Sequence, residues 1–416
     1  MFSLNDWKYK NMNIPKLSFF NSFYPKKESL SLKSENVASQ TTQQCDLNNV
    51  PSGYYSKIEV GTVKPVQQKE AVKHTKNNYI GCLLGGAIGD ALGWPVEFRR
   101  LSDIRRYYGD EGITDLELVG QKAEITDDTQ MTIFTADGLL KSAIKKFDEN
   151  ENPDMSIIYD SYQTWLGTQY GNYKENDNGW ISNIADLYAN RAPGTTCTGS
   201  LHRGIPGSIE KHINESKGCG GVMRVAPAGL MYYKNPEKAF EVGARCAALT
   251  HGGPSAYLPA GVHSAIIANL INGKDLEESI DNSIEILKSY KGNEDTLYLL
   301  EKAKEYAASD MPTDTAIRCL GEGWHGDEAI AISVYCVLKS PEDFEKALIL
   351  AVNHNGDSDS TGAIVGNILG AYLGSDKIPE KWKNSVELSS ELEQLALDLY
   401  NKPSEIENAK ERYAIA

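Results

Sequence analysis

Two glycine stripes constrain this chain more than any other feature. Gly85, Gly89 and Gly93 recur at every fourth position in one segment, and Gly362, Gly366 and Gly370 repeat the pattern far downstream. A spacing of four places each set on one face of a helix. Glycine in a helix interior costs about 0.5–1 kcal/mol relative to alanine, so such a stripe needs an offsetting gain, and close backbone packing supplies it. The stripes predict two central, tightly packed helices, one from each end of a domain. Membrane helix pairing uses similar small-residue spacing, but Asp90 interrupts the first run and the apolar stretches fall short of the ~20 residues a span needs. No Gly-Lys-Ser/Thr follows, so the segment is not a phosphate-binding loop.

From Tyr79 onward almost every apolar repeat has helical period, with helices expected over 81–92, 130–146, 156–169, 236–249, 259–271, 276–290, 295–308, 328–338, 341–352, 361–373 and 386–400. Strand-like alternation hardly occurs, and an all-α multi-helix domain is the expected fold. A polar, glycine-rich stretch over 167–221 reads as a long functional loop. With 416 residues, 41% hydrophobic, the chain can bury a large core.

No apolar run of about 18 residues exists, and residues 1–6 lack the basic and apolar regions of a signal peptide, so a cytoplasmic protein without membrane contact is expected. The seven cysteines are scattered without a Cys-x-x-Cys pair, which predicts reduced thiols rather than a disulfide framework or a zinc site. A net charge of −15 argues against a general nucleic-acid surface. The charge is uneven: residues 1–78 hold eleven Lys against six Asp or Glu, a net of +5 that leaves −20 for the rest. Residues 1–76 therefore read as an appended basic arm, and residues 77–416 as the folded domain. The aromatic stretch Leu17–Tyr24 is expected to dock on a partner or over the cleft, unless the arm is a dispensable tail.

Two acidic clusters stand at expected helix starts: Thr126-Asp127-Asp128-Thr129 and Asp357-Ser358-Asp359-Ser360-Thr361. Either alone fits a helix N-cap, whose oxygens satisfy free backbone amides. A helix start needs one cap, however, and the surplus carboxylates suit a hard cation such as Mg²⁺, Mn²⁺ or Ca²⁺ if the clusters meet in space. Glu97 follows the first glycine stripe between Pro95 and Phe98. It is either a surface glutamate or, in an apolar cleft, a general acid or base with a raised pKa. Gly218-Cys219-Gly220-Gly221 is either a plain turn or a row of unobstructed amides suited to phosphate oxygens, and His251 is either a helix C-cap or a ligand contact.

The ordered set formed by residues 81–93, Glu97, Thr126–Thr129, 218–227, 250–252, Gly323-Trp324 and 353–370 resembles the ADP-ribosylglycohydrolase family, including its dinitrogenase reductase-activating members, from about Tyr79 onward. The resemblance implies an all-α fold with two Mg²⁺ or Mn²⁺ ions held by Thr126, Asp127, Asp128, Asp357, Asp359 and Ser360. It also implies removal of ADP-ribose from a modified protein side chain, arginine by similarity to the bacterial-type members. Glu97, or a cluster aspartate such as Asp128, would assist proton transfer. Gly218, Gly220, Gly221, Met223 and His251 match positions that hold the rest of ADP-ribose. The chain departs from the family pattern at Ser360, where some relatives have Thr, at His325-Gly326-Asp327 and at Gly253. The arm lies outside the common domain. Its aromatic cluster and opposite charge raise a rival expectation, an immunity protein that occludes an ADP-ribosyltransferase toxin.

Overall fold

The computed structural model describes residues 75–416 apart from Asp177, Lys402 and Ala416. The expectations placed on Leu17–Tyr24 and on nearly all of the 1–76 arm fall outside the described residues. Regular structure among the described residues is helical, with only isolated β-bridges beside it. The helices run in the order α1 (Lys76–Gly93), α2 (Leu101–Tyr108), α3 (Asp127–Lys145), α4 (Met155–Tyr170), α5 (Thr195–Leu201), α6 (Ala226–Met231), α7 (Pro236–Ala248), α8 (Pro254–Ile271) and α9 (Leu276–Lys288). They continue with α10 (Glu294–Ala307), α11 (Thr313–Leu320), α12 (Gly326–Lys339), α13 (Phe344–Val352), α14 (Ser358–Leu373), α15 (Glu380–Ser385), α16 (Ser389–Tyr400) and α17 (Ala409–Arg412).

The stripes do what their spacing predicts. Gly81 lies against Gly370, Gly85 against Gly366 and Gly89 against Gly362, so α1 and α14 pack antiparallel with their backbones in contact. A Cβ at any of these positions would collide with the carbonyl of its partner. Gly93 continues the seam and abuts the backbone of Ser358 and Asp359. Two side chains bond across it: Asn78 Nδ2 donates to the Ala371 carbonyl at 2.8 Å, and Asn367 Nδ2 to that of Cys82 at 2.8 Å. The seam thus presses the end of α1 onto the first turn of α14.

Helix α8 is buried on every side, as an apolar helix in a domain centre must be. It begins at Pro254 rather than at Pro259, and Pro259 sits inside it. Proline suits either position N1 or, at a cost, an interior site where dense packing holds the helix together. The helices that the periodicity missed (α2, α5, α6, α11, α15 and α17) are eight residues or shorter, too short to show a repeat. Leu388, in the left-handed region at φ 57°, separates α15 from α16, so the expected 386–400 helix starts later. The expected long loop is irregular from Gly171 to Gly221 except for α5 and three 3₁₀ turns. Cys82, Cys197, Cys219, Cys246 and Cys336 are free thiols. No described helix is long and apolar enough to cross a membrane.

Candidate active site

The two acidic clusters meet where α1 ends and α3 and α14 begin. Asp90, one turn before the end of α1 and fully buried, organises the first of them. Its carboxylate accepts the Thr126 amide at 3.0 and 3.1 Å, the Thr129 amide at 3.1 Å and the Thr129 hydroxyl at 2.5 Å. Thr126 is the N-cap of α3, its hydroxyl accepting the Asp128 amide at 3.2 Å. Capping is therefore done by Asp90 and Thr126, which leaves the Asp127 and Asp128 carboxylates to other work. Asp127 Oδ2 accepts the Gly194 amide at 3.0 Å, while Asp128 Oδ2 is buried with no hydrogen-bond partner.

On the other side, Asp357 caps α14 by accepting the Ser360 amide at 3.2 Å, and Asp359 Oδ1 accepts the same amide at 3.0 Å. Glu97 arrives from the turn after α1, and its Oε2 is a second buried oxygen without a partner. Ligand atoms of Glu97, Asp357 and Asp359 all lie within 4.8 Å of one another, so Glu97 belongs to the cluster rather than standing beside it. Asp128 feels the charges of Asp90, Asp127 and Asp357 and is within hydrogen-bond reach of the Ser360 side chain.

Burial and like charge drive Asp90, Glu97, Asp127, Asp128 and Asp359 toward their protonated forms. Burial, reinforced by Asp357, Asp127 and Asp90, pushes Glu97 up to about 9. Burial lifts Asp127 to about 7, with Asp90 and Asp357 adding to the effect against the Gly194 amide. Burial also lifts Asp90 to about 6, opposed by its bonds from Thr129 and Thr126. Asp128 and Asp359 rise well above the carboxylate range, first through burial and then through their acidic neighbours. Among the described residues, no lysine, arginine or histidine forms an ion pair with Glu97 or with any aspartate of the cluster. An oxygen-rich group of this kind, with two orphaned oxygens and no internal counter-charge, fits a divalent cation.

The Gly218–Gly221 segment forms one wall. Its Gly218 amide donates to Ser216 Oγ at 3.2 Å and its Cys219 amide to the Trp324 carbonyl at 3.0 Å, so the segment's own folding uses two of the amides expected to face a phosphate. A methyl at Gly220 would stand 3.2 Å from His251 Nε2, and one at Gly221 would strike Ala247. His251 is buried, with Nδ1 2.8 Å from the Thr250 hydroxyl. Burial and the nearby Arg224 hold it down at about 3, so it works as a neutral ring. Met223 is buried as well, its Sδ 3.9 Å from Ser360 Oγ.

Asp90 escaped sequence reasoning because it looked like an interruption of an apolar face. Cys219 escaped because a lone thiol in a glycine turn carries no signal, yet its Sγ donates to Asp357 Oδ2 at 2.7 Å.

A sequence model of the ADP-ribosylglycohydrolase family matches residues 71–408. The ADP-ribosylarginine hydrolase Tri1 of Pseudomonas putida is 26% identical over 79% of this chain and 79% of its own length. The ADP-ribosyl-[dinitrogen reductase] glycohydrolase of Rhodospirillum rubrum is 24% identical over 76% of this chain and 92% of its own. In structure, an ADP-ribosylglycohydrolase-related protein complex superposes with a TM-score of 0.54 at 24% identity, covering 78% of this chain and 97% of that one, which shows the shared fold. With the family match spanning most of its length, this chain belongs to the ADP-ribosylglycohydrolase family and is a glycohydrolase.

Proposed function

We propose that the chain removes ADP-ribose from modified arginine side chains with the help of two divalent ions, Mg²⁺ or Mn²⁺, held by Thr126, Asp127, Asp128, Asp357, Asp359 and Ser360. The observation that carries this reading is the pair of partnerless buried oxygens, Glu97 Oε2 and Asp128 Oδ2, inside one acidic cluster. Arginine as the acceptor is supported by the name of the Pseudomonas relative. When bound, the ions would supply positive charge that orients the ribose hydroxyls and draws the raised carboxyl pKa values down toward the ordinary carboxylate range.

Glu97 carries the proton. As the bond from the distal ribose C1″ to the guanidino nitrogen breaks, Glu97 delivers its proton to that nitrogen, then as a carboxylate takes one from the water that adds to C1″. It ends protonated, ready for another turnover. Asp128, with Oδ2 unused, is the alternative proton acceptor. Gly220, Gly221 and neutral His251 seat the remainder of ADP-ribose, with Met223 packed beneath. The hydrolase occupies residues 77–416 and the arm is appended to it.

The test incubates the protein with an arginine-ADP-ribosylated substrate and Mg²⁺ and measures released ADP-ribose with and without a chelator. Release that the chelator abolishes is the expected result. Release that continues in the chelator would remove the metal from the mechanism, and no release would remove arginine.

A further inference from the structure

Phe98 is a large apolar side chain left 69% exposed, and its backbone sits in the left-handed region at φ 62°. A bulky residue adopts that conformation only when its surroundings hold it there. Here the Phe98 amide donates to the Gly356 carbonyl at 3.0 Å, and the ring stacks on Trp324 with centroids 5.1 Å apart and planes 22° apart. Trp324 is fixed in turn: its Nε1 donates to Glu322 Oε2 at 3.1 Å, and its carbonyl accepts the Cys219 amide at 3.0 Å. The Glu322 carbonyl accepts the Asp357 amide at 2.9 Å. The aromatic pair and Glu322 are thus tied to the backbone that carries Asp357, and Phe98 directly follows Glu97. The nearest cation in sequence, Arg99, lies over the Tyr107 ring at 5.9 Å.

A lone exposed phenylalanine is ordinary on a protein surface. A strained one, stacked on an oriented tryptophan beside a carboxylate at the rim of an acidic centre, is a shaped surface for a flat cation. A guanidinium stacks on an aromatic face and pairs with a carboxylate at once, whereas a neutral acceptor lacks the charge that strengthens both contacts. We infer that Phe98, Trp324 and Glu322 form the acceptor platform that reads the guanidinium group of the modified side chain. The inference rests on the hydrolase reading above and names how the acceptor is chosen.

The test compares butylguanidinium with butylurea, its neutral isostere. Binding of each to the full chain, with Mg²⁺ and ADP-ribose present, is measured by ligand-observed NMR for the wild type, Phe98→Ala, Trp324→Ala and Glu322→Gln. ADP-ribose release from arginine-linked substrate is measured alongside. Butylguanidinium should bind the wild type about tenfold more tightly than butylurea, each variant should lose about three- to tenfold of that affinity, and KM for the arginine-linked substrate should rise in step. ADP-ribose affinity should stay within about twofold of wild type, given that the platform reads only the acceptor. Equal binding of the two isosteres, unchanged guanidinium binding in the variants, or a parallel loss of ADP-ribose affinity overturns the platform. A wild type that selects butylguanidinium through these residues yet releases no ADP-ribose from arginine keeps the platform and removes the hydrolase reading.

Discussion

The Thr129 hydroxyl donates to the Asp90 carboxylate across 2.5 Å, and this bond fastens the start of α3 to the end of α1. Asp90→Ala would strand the buried Thr126 and Thr129 amides, at a cost of about 2–4 kcal/mol. Chemical denaturation should record that loss, and a Mn²⁺ titration should show weaker binding. Asp90→Asn, which retains one acceptor oxygen, should recover part of the stability. An alanine variant as stable as the parent, with the same metal affinity, would mean that α3 holds its own first turn.

The glycine seam makes a paired prediction. Gly366→Ala would drive a methyl into the Gly85 backbone and should destabilise the fold by at least about 3 kcal/mol or prevent folding. Gly167→Ala, in α4 with open space around it, should instead stabilise by up to about 1 kcal/mol. Thermal melts of the two variants check both signs.

Asp359→Asn replaces a buried carboxyl, which burial and its acidic neighbours push toward the protonated form, with a neutral amide. The metal-free protein should become more stable, while Mn²⁺ affinity and ADP-ribose release fall at least about 100-fold. Calorimetric titration and the release assay read the two halves separately, and retained activity would take Asp359 out of the metal centre.

Stability of the metal-free protein should depend on pH in a definite direction. Burial and the neighbouring carboxylates push Glu97 up to about 9 in the folded chain from an ordinary 4.5, and Asp127 up to about 7 from 3.8. The folded state therefore binds more protons than the unfolded state between those values. The stability these two groups contribute is fully present below about pH 4 and is lost as pH rises through about 7 and then 9. Melting in a chelator should fall across that window, and the increment gained on adding Mg²⁺ should grow with it. A flat profile would mean that the carboxylates do not crowd one another as described.

The sequence made legible whatever depends on repetition. The glycine spacing foretold the α1–α14 seam, and the surplus carboxylates in two short clusters foretold a shared acidic centre. Long amphipathic helices such as α9 were found within a residue or two of their ends. Features that depend on a single residue in a particular backbone state stayed hidden. Asp90 serves as a cap for a helix that begins far along the chain, Phe98 takes a left-handed φ, and Cys219 turns its thiol toward Asp357. None of these leaves a period or a motif, because each is set by tertiary contacts that local propensity does not encode.

One half of the acidic centre is made early in the chain and the other only when α14 is laid into the glycine groove of α1. A ribosome must therefore finish nearly the whole domain before the carboxylates can confront one another. A fragment cut before α14 lacks Asp357 and Asp359 and so carries only half of the acidic centre.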